Sequence, residues 1–406
     1  MSNTLKLGNG KWATGKDTLL SFSDTNNNYK PLPFSFSRDS SGTVVNKAGL
    51  IETVGSGEPR IDFKDNTKGS LLLEPSRTNL YSYSNQFDVY WSKSNISAIP
   101  NSIISPEGIL NGYFLRENTS NASHDIRQNA TIVSGLQYTY SVFVKKSDVG
   151  QDRNLSFYIG GTNGSISFNT TNGTFFNVGS VDSYSSEDYG NGWWRLQFTD
   201  TSVSTSFNVI AILNNGSTIY SGDGVSGVYI YGAQLEQGSY ATSYIPTSGS
   251  AVTRVAEVCN NGANDQVINS TEGVLYADIS ADEITTGRWL SLSNGTTSER
   301  LSFGFQGSTI RVYIKNTSGL IWDAQKSGID ILNYNKVGLK YKSGDYALWI
   351  NGTEIATSSN SNLTSGLNSL QFNAGSGAAA FYGNIKDLKL YNTALTDQEL
   401  AALTTI

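Results

Sequence analysis

Tyr346-Ala347-Leu348-Trp349-Ile350-Asn351-Gly352-Thr353-Glu354-Ile355 holds the sharpest structural signal in the chain. An alternating run meets Asn-Gly, a pair that tolerates the positive φ required at both central positions of a type I′ turn, so the stretch reads as a β-hairpin. Runs of the same kind lie on either side. Upstream are Tyr138–Val144, Leu155–Ile159 and Ser206–Leu213, punctuated by Asn163-Gly164, Asn172-Gly173 and Asn215-Gly216. Nearer the hairpin are Gly273–Ile279, Leu301–Phe305 and Ile310–Ile314. Period-two runs of β-branched and aromatic residues between turn signals are half-buried strands.

One helix is predicted, at the C-terminus. Thr396-Asp397-Gln398-Glu399 has the form of a capping box, and Leu395 and Leu400 occupy the staple positions; the helix should end near Leu403. The fold class is therefore all-β: two antiparallel β-sandwich (jelly-roll) domains after a short N-terminal segment, with one short C-terminal helix. Between Leu20 and Leu80 the apolar runs are short and broken by Pro31, Pro33, Pro59 and Pro75, which predicts edge strands and loops, with Ser70–Leu73 as one buried strand. Pro246-Thr247-Ser248-Gly249-Ser250 reads as a boundary. The expected division is an irregular segment 1–82, a sandwich 83–248, a linker 249–269 and a second sandwich 270–406.

A chain of 406 residues fits two or three domains at roughly 100–200 residues each. Its net charge of −6 argues against a phosphate-binding surface, so nucleic acid is not an expected partner. No apolar run reaches about 18 residues, so membrane insertion is not expected either. The start, MSNTLKLGNGKW, lacks an apolar stretch of the secretory kind, so synthesis in a cytoplasm is expected. With Cys259 as the only cysteine, no intrachain disulfide can form.

Three groups of motifs resemble a family of phage structural proteins, those of tail fibres and related virion appendages. The first comprises Phe36-Ser37-Arg38, Asn46–Glu52, Glu58-Pro59-Arg60-Ile61-Asp62 and Leu71-Leu72-Leu73-Glu74-Pro75-Ser76-Arg77-Thr78-Asn79-Leu80. The second is Gly192-Trp193-Trp194-Arg195 with Gly232–Pro246, which resembles the close of a carbohydrate-binding-module-like jelly roll. The third is Tyr334–Leu339, the Asn351-Gly352 hairpin and Ile385–Asn392, which resemble a concanavalin or laminin-G type domain. The resemblance implies a virion component, assembled with other virion proteins as a homo-oligomer, a trimer being favoured, and attached through its N-terminal segment.

Residue chemistry points toward binding rather than catalysis. The single histidine, His124, has no GxSxG elbow to serve. Glu187-Asp188 and Asp282-Glu283 are the adjacent acid pairs considered for glycoside hydrolysis, and both lie in polar connections. Sugar recognition needs an aromatic platform with polar groups beside it. Candidates are Tyr90, Trp91, Arg116, His124 and Arg127 in the first sandwich, and Arg288, Trp289, Trp322 and Asp323 in the second. Trp193 and Trp194 must face opposite ways if they share a strand, and Trp349 belongs either to the core or to an open face. Jelly rolls of this kind often hold a structural calcium, for which Asp88, Glu117 and Asp223 are available acids, although no metal site is assigned.

The expected function is that of a bacteriophage appendage protein, a tail or head fibre of receptor-binding type, which binds host surface polysaccharide weakly and multivalently. A purely structural capsid-decoration or baseplate role is the alternative, and a polysaccharide depolymerase a minor one.

Overall fold

The Asn351-Gly352 turn forms as expected in the computed structural model: the two residues have φ of +50° and +80°, and Ile350 faces Thr353 directly. The model describes residues 3–23, 30–64, 66–160, 164–284 and 286–406, so that Asn163 of the expected Asn163-Gly164 turn lies outside the described residues. It is all-β, with a single helix, Asp397–Thr404, among these residues. That helix has both bonds of the capping box between Thr396 and Glu399. No described helix is long and apolar enough to cross a membrane.

The chain forms two compact units, and both are discontinuous. The first combines Met1–Ser41, Val54–Pro75 and Val255–Ile406; the second combines Gly42–Thr53 and Ser76–Arg254. In the first unit a twelve-stranded sheet is organised around strand Gly383–Tyr391. On one side this strand pairs with Glu272–Ser280; on the other it pairs with Leu5–Gly8 and then with Ser70–Leu73. A five-stranded sheet, from Gly319–Lys326 to Ser369–Gln371, shares its core. Leu5, Leu7, Phe34, Leu71 and Leu73 are buried in one cluster with Phe303, Val312, Leu348 and Leu388.

This arrangement corrects the expected division. The stretch 1–82 is not a separate segment, because six of its strands, Leu5–Gly8, Ala13–Gly15, Thr18–Ser23, Lys30–Ser37, Arg60–Asp62 and Ser70–Leu73, belong to the large sheet. Nor is 249–269 a linker. Val252–Arg254 pairs with Arg77–Asn79 in the second unit, while Val258–Asn260 pairs with Ser35–Ser37 in the first. The physical reason is burial: apolar residues alternating on short strands gain little until a neighbouring sheet covers them. The prolines sit where expected, since Pro31 and Pro33 face Thr18–Ser23 on the part of their strand that has one neighbour.

A buried ionic network joins the three segments of the first unit. Arg60 donates from Nε to Glu257 Oε1 and from Nη2 to Glu257 Oε2 and Glu74 Oε2, each at 2.6 Å. Arg38 Nη1 donates to Glu257 Oε1 at 2.8 Å and to the Glu58 carbonyl at 3.0 Å. The Glu74 amide donates to Glu257 Oε2, and the Glu257 amide donates to the Glu74 carbonyl. Burial disfavours the Arg60 charge, but the two carboxylates outweigh it and hold its pKa above the ordinary value.

Close by, the Asp282 carboxyl is enclosed although the rest of the residue is only half buried. It accepts from Asn384 Nδ2 at 3.0 Å, while its Oδ2 has no hydrogen-bond partner. Burial, with a contribution from the Glu74 charge, pushes its pKa up to about 8.

In the second unit two six-stranded sheets face each other. The front sheet runs Ser92–Ser94, Asp125–Thr131, Ser206–Asn214, Asn154–Gly160, Ser165–Asn169, Thr174–Phe176. The back sheet runs Ile96–Ile104, Leu110–Glu117, Gly227–Gln237, Gln137–Lys146, Trp193–Thr201, Ser183–Asp188. Between them lie Tyr81, Trp91, Tyr140, Phe157 and Phe198. Trp193 and Trp194 diverge as alternation requires: Trp194 packs against this core, whereas Trp193 joins a separate aromatic cluster with Phe143, Tyr231 and Tyr244. Trp349 of the first unit, whose placement the sequence left open, clusters with Leu400 of the C-terminal helix and with Leu395 just before its cap.

Two outcomes follow for the first unit. Glu257→Ala strands two buried guanidinium groups and should destabilise this unit by about 3–5 kcal/mol in urea unfolding. By contrast, in the second unit Asp152→Ala breaks the exposed Lys146–Asp152 pair and should cost under about 1 kcal/mol. For Asp282 the folded form keeps a proton that the unfolded chain releases near 3.8, so its effect is to lower stability as pH rises from about 4 to about 8. Asp282→Asn should therefore gain on the parent chain through that window. An equal gap between their urea midpoints at both ends of the window would refute the assignment.

Candidate functional site

The outer surface of the front sheet carries an open arrangement of polar groups around an exposed tyrosine. Leu155, Phe157 and Ile159 point into the core, so the residues between them, Ser156 and Tyr158, point out. Two rows of the ladder cross this surface. One runs Arg127, Ile210, Tyr158, Ser165, and the next runs Asp125, Ile212, Ser156, Ser167. Tyr158 is 45% exposed, and Arg127, two strands away or about 10 Å, is also exposed.

Beside Tyr158 lies a cavity of about 260 Å³ lined by hydroxyls and amides, including those of Ser165, Asn177, Asn214, Ser217 and Thr218. Its floor is held by side-chain bonds: Asn214 Nδ2 donates to Ser156 Oγ at 2.8 Å, and Ser156 Oγ lies 2.8 Å from Ser167 Oγ. At the Arg127 edge, Tyr83 and Tyr90 stack with centroids 3.6 Å apart and planes 5° apart. The Tyr83 carbonyl accepts from Trp91 Nε1 and from Gln128 Nε2, which anchors this plate to the edge of the sheet. A pyranose has an apolar face that lies on such rings, while its hydroxyls exchange hydrogen bonds with amides, hydroxyls and a guanidinium.

The nominated residues divide accordingly. Arg127 belongs to this surface, and Tyr90 is exposed in the stack with Tyr83 before the edge strand Ser92–Ser94. Trp91 is a core residue at 3% exposure, behind the plate rather than on it. Arg116 is exposed on the back sheet, opposite Ser97 and Gly227. His124 is fully buried with its ring against Tyr220, and neither ring nitrogen has a hydrogen-bond partner. In the first unit Trp322 packs in the core near Tyr346, and Trp289 is buried on the other face of its strand. Arg288 pairs with Glu283 at 3.0 Å and lies over the Tyr382 ring. Asp323 is committed to a two-point pair with Arg311. Trp91, His124, Trp289 and Trp322 thus do not form open binding positions, because their rings are buried. Tyr158 and Tyr83 were missed, although the alternation of Leu155–Ile159 already turns Tyr158 outward.

The acids considered for calcium are otherwise engaged. Arg153 donates to both oxygens of Glu117 at 2.7 Å, and Glu117 also accepts from the Tyr220 hydroxyl and the Asp223 amide. Burial acts to raise the Glu117 pKa, but these donors outweigh it and hold the carboxyl below its ordinary value. Asp88 accepts from the Tyr113 hydroxyl. The positive charge at Glu117 and Asp223 is thus supplied by a guanidinium, and the pair does not fit an ion needing six to eight oxygens. Among the described residues no three histidine, cysteine or acidic side chains converge as metal ligands.

No family model matches the chain, and no curated protein matches it. Among solved structures, similarity is found to the carbohydrate-binding module CBM40 of the Ruminococcus gnavus IT-sialidase, bound to α2,3 sialyllactose: 19% identity over 36% of this chain and 93% of that one, with a TM-score of 0.31. Domain 4 of AbnA, an arabinanase from Geobacillus stearothermophilus in complex with arabinotriose, is 15% identical over 41% of this chain and 83% of that one, TM-score 0.31. Domains LG4-5 of the mouse laminin alpha1 chain are 10% identical over 68% of this chain and 90% of that one, TM-score 0.24.

The Glu117 pair makes its own prediction. Arg153→Leu should destabilise the second unit by about 3–5 kcal/mol near neutral pH. In the parent chain the contribution of Glu117 is present above pH 4.5 and is lost as pH falls through its depressed folded value. The difference between variant and parent in urea midpoint should therefore narrow under acid, and a constant difference would count against the pairing.

Proposed function

We propose that the chain is a glycan-binding subunit of a bacteriophage appendage, and that it attaches weakly and multivalently to polysaccharide on the host surface. The observation that carries the binding half is the open front sheet of the second unit. There Tyr158 and Arg127 share one face, with a hydroxyl- and amide-lined cavity beside Tyr158 and the Tyr83–Tyr90 stack next to the edge strand. Weak single sites suffice in such a setting, because linked copies raise the effective concentration of each further contact. The phage setting rests on the motifs around Leu71–Leu80 and Gly232–Pro246, and a trimer is the assembly we favour for it.

A second reading, a decoration or baseplate spacer, draws on exposed apolar loops: Val203 is 74% exposed, and Val133 is 59% exposed. In that case these residues would be covered by neighbouring subunits in a particle reconstruction.

A glycan array with the intact chain, followed by calorimetry on the best ligand, tests the first reading. Tyr158→Ala and Arg127→Ala should each weaken binding by roughly tenfold or more, the worth of a lost stacking contact or charged hydrogen bond, with thermal unfolding unchanged. Failure of host polysaccharide to bind, with phage adsorption unaffected by removing the protein, would sink it.

A further inference from the structure

The first unit has a larger cavity of its own, about 630 Å³. It opens where residues 265–271, leading into strand Glu272–Ser280, meet residues 366–368, leading into Ser369–Gln371. Asn392, just after strand Gly383–Tyr391, completes the rim.

The walls are fastened together by groups that are thereby spent. Asn269 Nδ2 donates to the Asn392 carbonyl at 2.9 Å, and Asn269 Oδ1 accepts from both the amide and the hydroxyl of Thr271. The Leu367 amide donates to Ser270 Oγ at 2.9 Å, tying the two segments to each other. What remains is a set of uncommitted side chains. Gln266, Asn368 and Asn392 have no side-chain hydrogen bond among the described residues, and Asp265 has neither a hydrogen bond nor an ion pair there. Beneath them Ile268 and Leu367 supply an apolar floor.

We infer that this cleft is a second saccharide site, selective for uncharged sugars. Each free amide presents one acceptor and two donors, which matches hydroxyls that both give and receive a proton. The volume lies within the roughly 300–1,000 Å³ range of small-molecule sites. No cationic side chain lines it, and Asp265 repels a carboxylated or sulfated sugar. One carboxylate with neutral amides is too poor a set for a calcium ion in its own right. The inference stands on this cleft alone and not on the front sheet of the second unit.

The test is saturation-transfer NMR and calorimetry on the intact chain, with neutral trisaccharides of glucose, mannose and galactose, and with trigalacturonate as the charged probe. At least one neutral trisaccharide should bind. That binding should weaken roughly tenfold in Asn368→Ala with Asn392→Ala, the cost of one or two lost hydrogen bonds. It should be blocked by Asn368→Trp, a change at an exposed position, and survive Arg116→Ala, on the back sheet of the second unit, unchanged. Three results overturn the inference: no neutral trisaccharide binds, trigalacturonate binds more tightly, or binding ignores the Asn368 and Asn392 variants. Loss of binding in Tyr158→Ala alone would assign the sugar to the front sheet instead.

Discussion

The carboxylate of Glu257 accepts from two buried arginines, Arg38 and Arg60, and the architecture of the first unit turns on that convergence. Glu74 shares Arg60, and it lies one residue before the chain leaves this unit at Pro75; Glu257 lies two residues after the chain returns at Val255. Buried ion pairs contribute little net stability, since desolvation offsets attraction. Their force lies in the penalty on alternatives. Any arrangement that fails to bring 38, 60, 74 and 257 together leaves an uncompensated charge in a low-dielectric interior. A long insertion between Pro75 and Val255 is tolerable because this cluster, with the reciprocal backbone bonds of Glu74 and Glu257, defines how its two ends must meet.

The second unit uses the same device on a smaller scale. Arg153, Glu117 and Tyr220 hold the loops that carry Asp223, and Arg254 donates to Thr242 and Ser243. Several charged residues of the quoted motifs, Arg38, Arg60, Glu74 and Glu236, are therefore buried structural groups. They shape the scaffold, while the residues proposed for recognition, such as Tyr158, Asn214 and Asn368, lie outside the motifs.

Local features were legible in the sequence because their causes are local. The Asn351-Gly352 turn depends on two φ angles, the helix cap depends on four residues, and strands such as Tyr138–Val144 depend on alternation alone. Pairing partners were not legible. Nothing near Leu5 or Leu7 indicates that they face Leu390 and Leu388, and nothing near Glu257 marks it as the partner of Arg38. The candidate site was half legible for a related reason. A tryptophan suits both a core and a platform, and Trp91 and Trp322 went to the core. The phase of a run settles the matter where neighbours are unambiguous, as Leu155, Phe157 and Ile159 are for Tyr158. Asn172-Gly173 shows the limit of a dipeptide signal: it closes a longer loop, Asn169 to Thr174, and only its glycine has positive φ.

Strand Gly383–Tyr391 lies at the middle of the large sheet, between Glu272–Ser280 and the strands Leu5–Gly8 and Ser70–Leu73. On a ribosome, where chains emerge from the N-terminus, those early strands have no central partner until residues 383–391 have been made. The second unit, almost all of it within Ser76–Arg254, has its partners at hand far sooner. Synthesis thus imposes an order on folding: the inserted sandwich closes first, and the unit that flanks it waits, with the apolar faces of Leu5–Gly8 and Ser70–Leu73 uncovered, for the last strand to arrive. The early strands are correspondingly short, at four residues each, which limits the unpaired edge available for association with another chain during that interval.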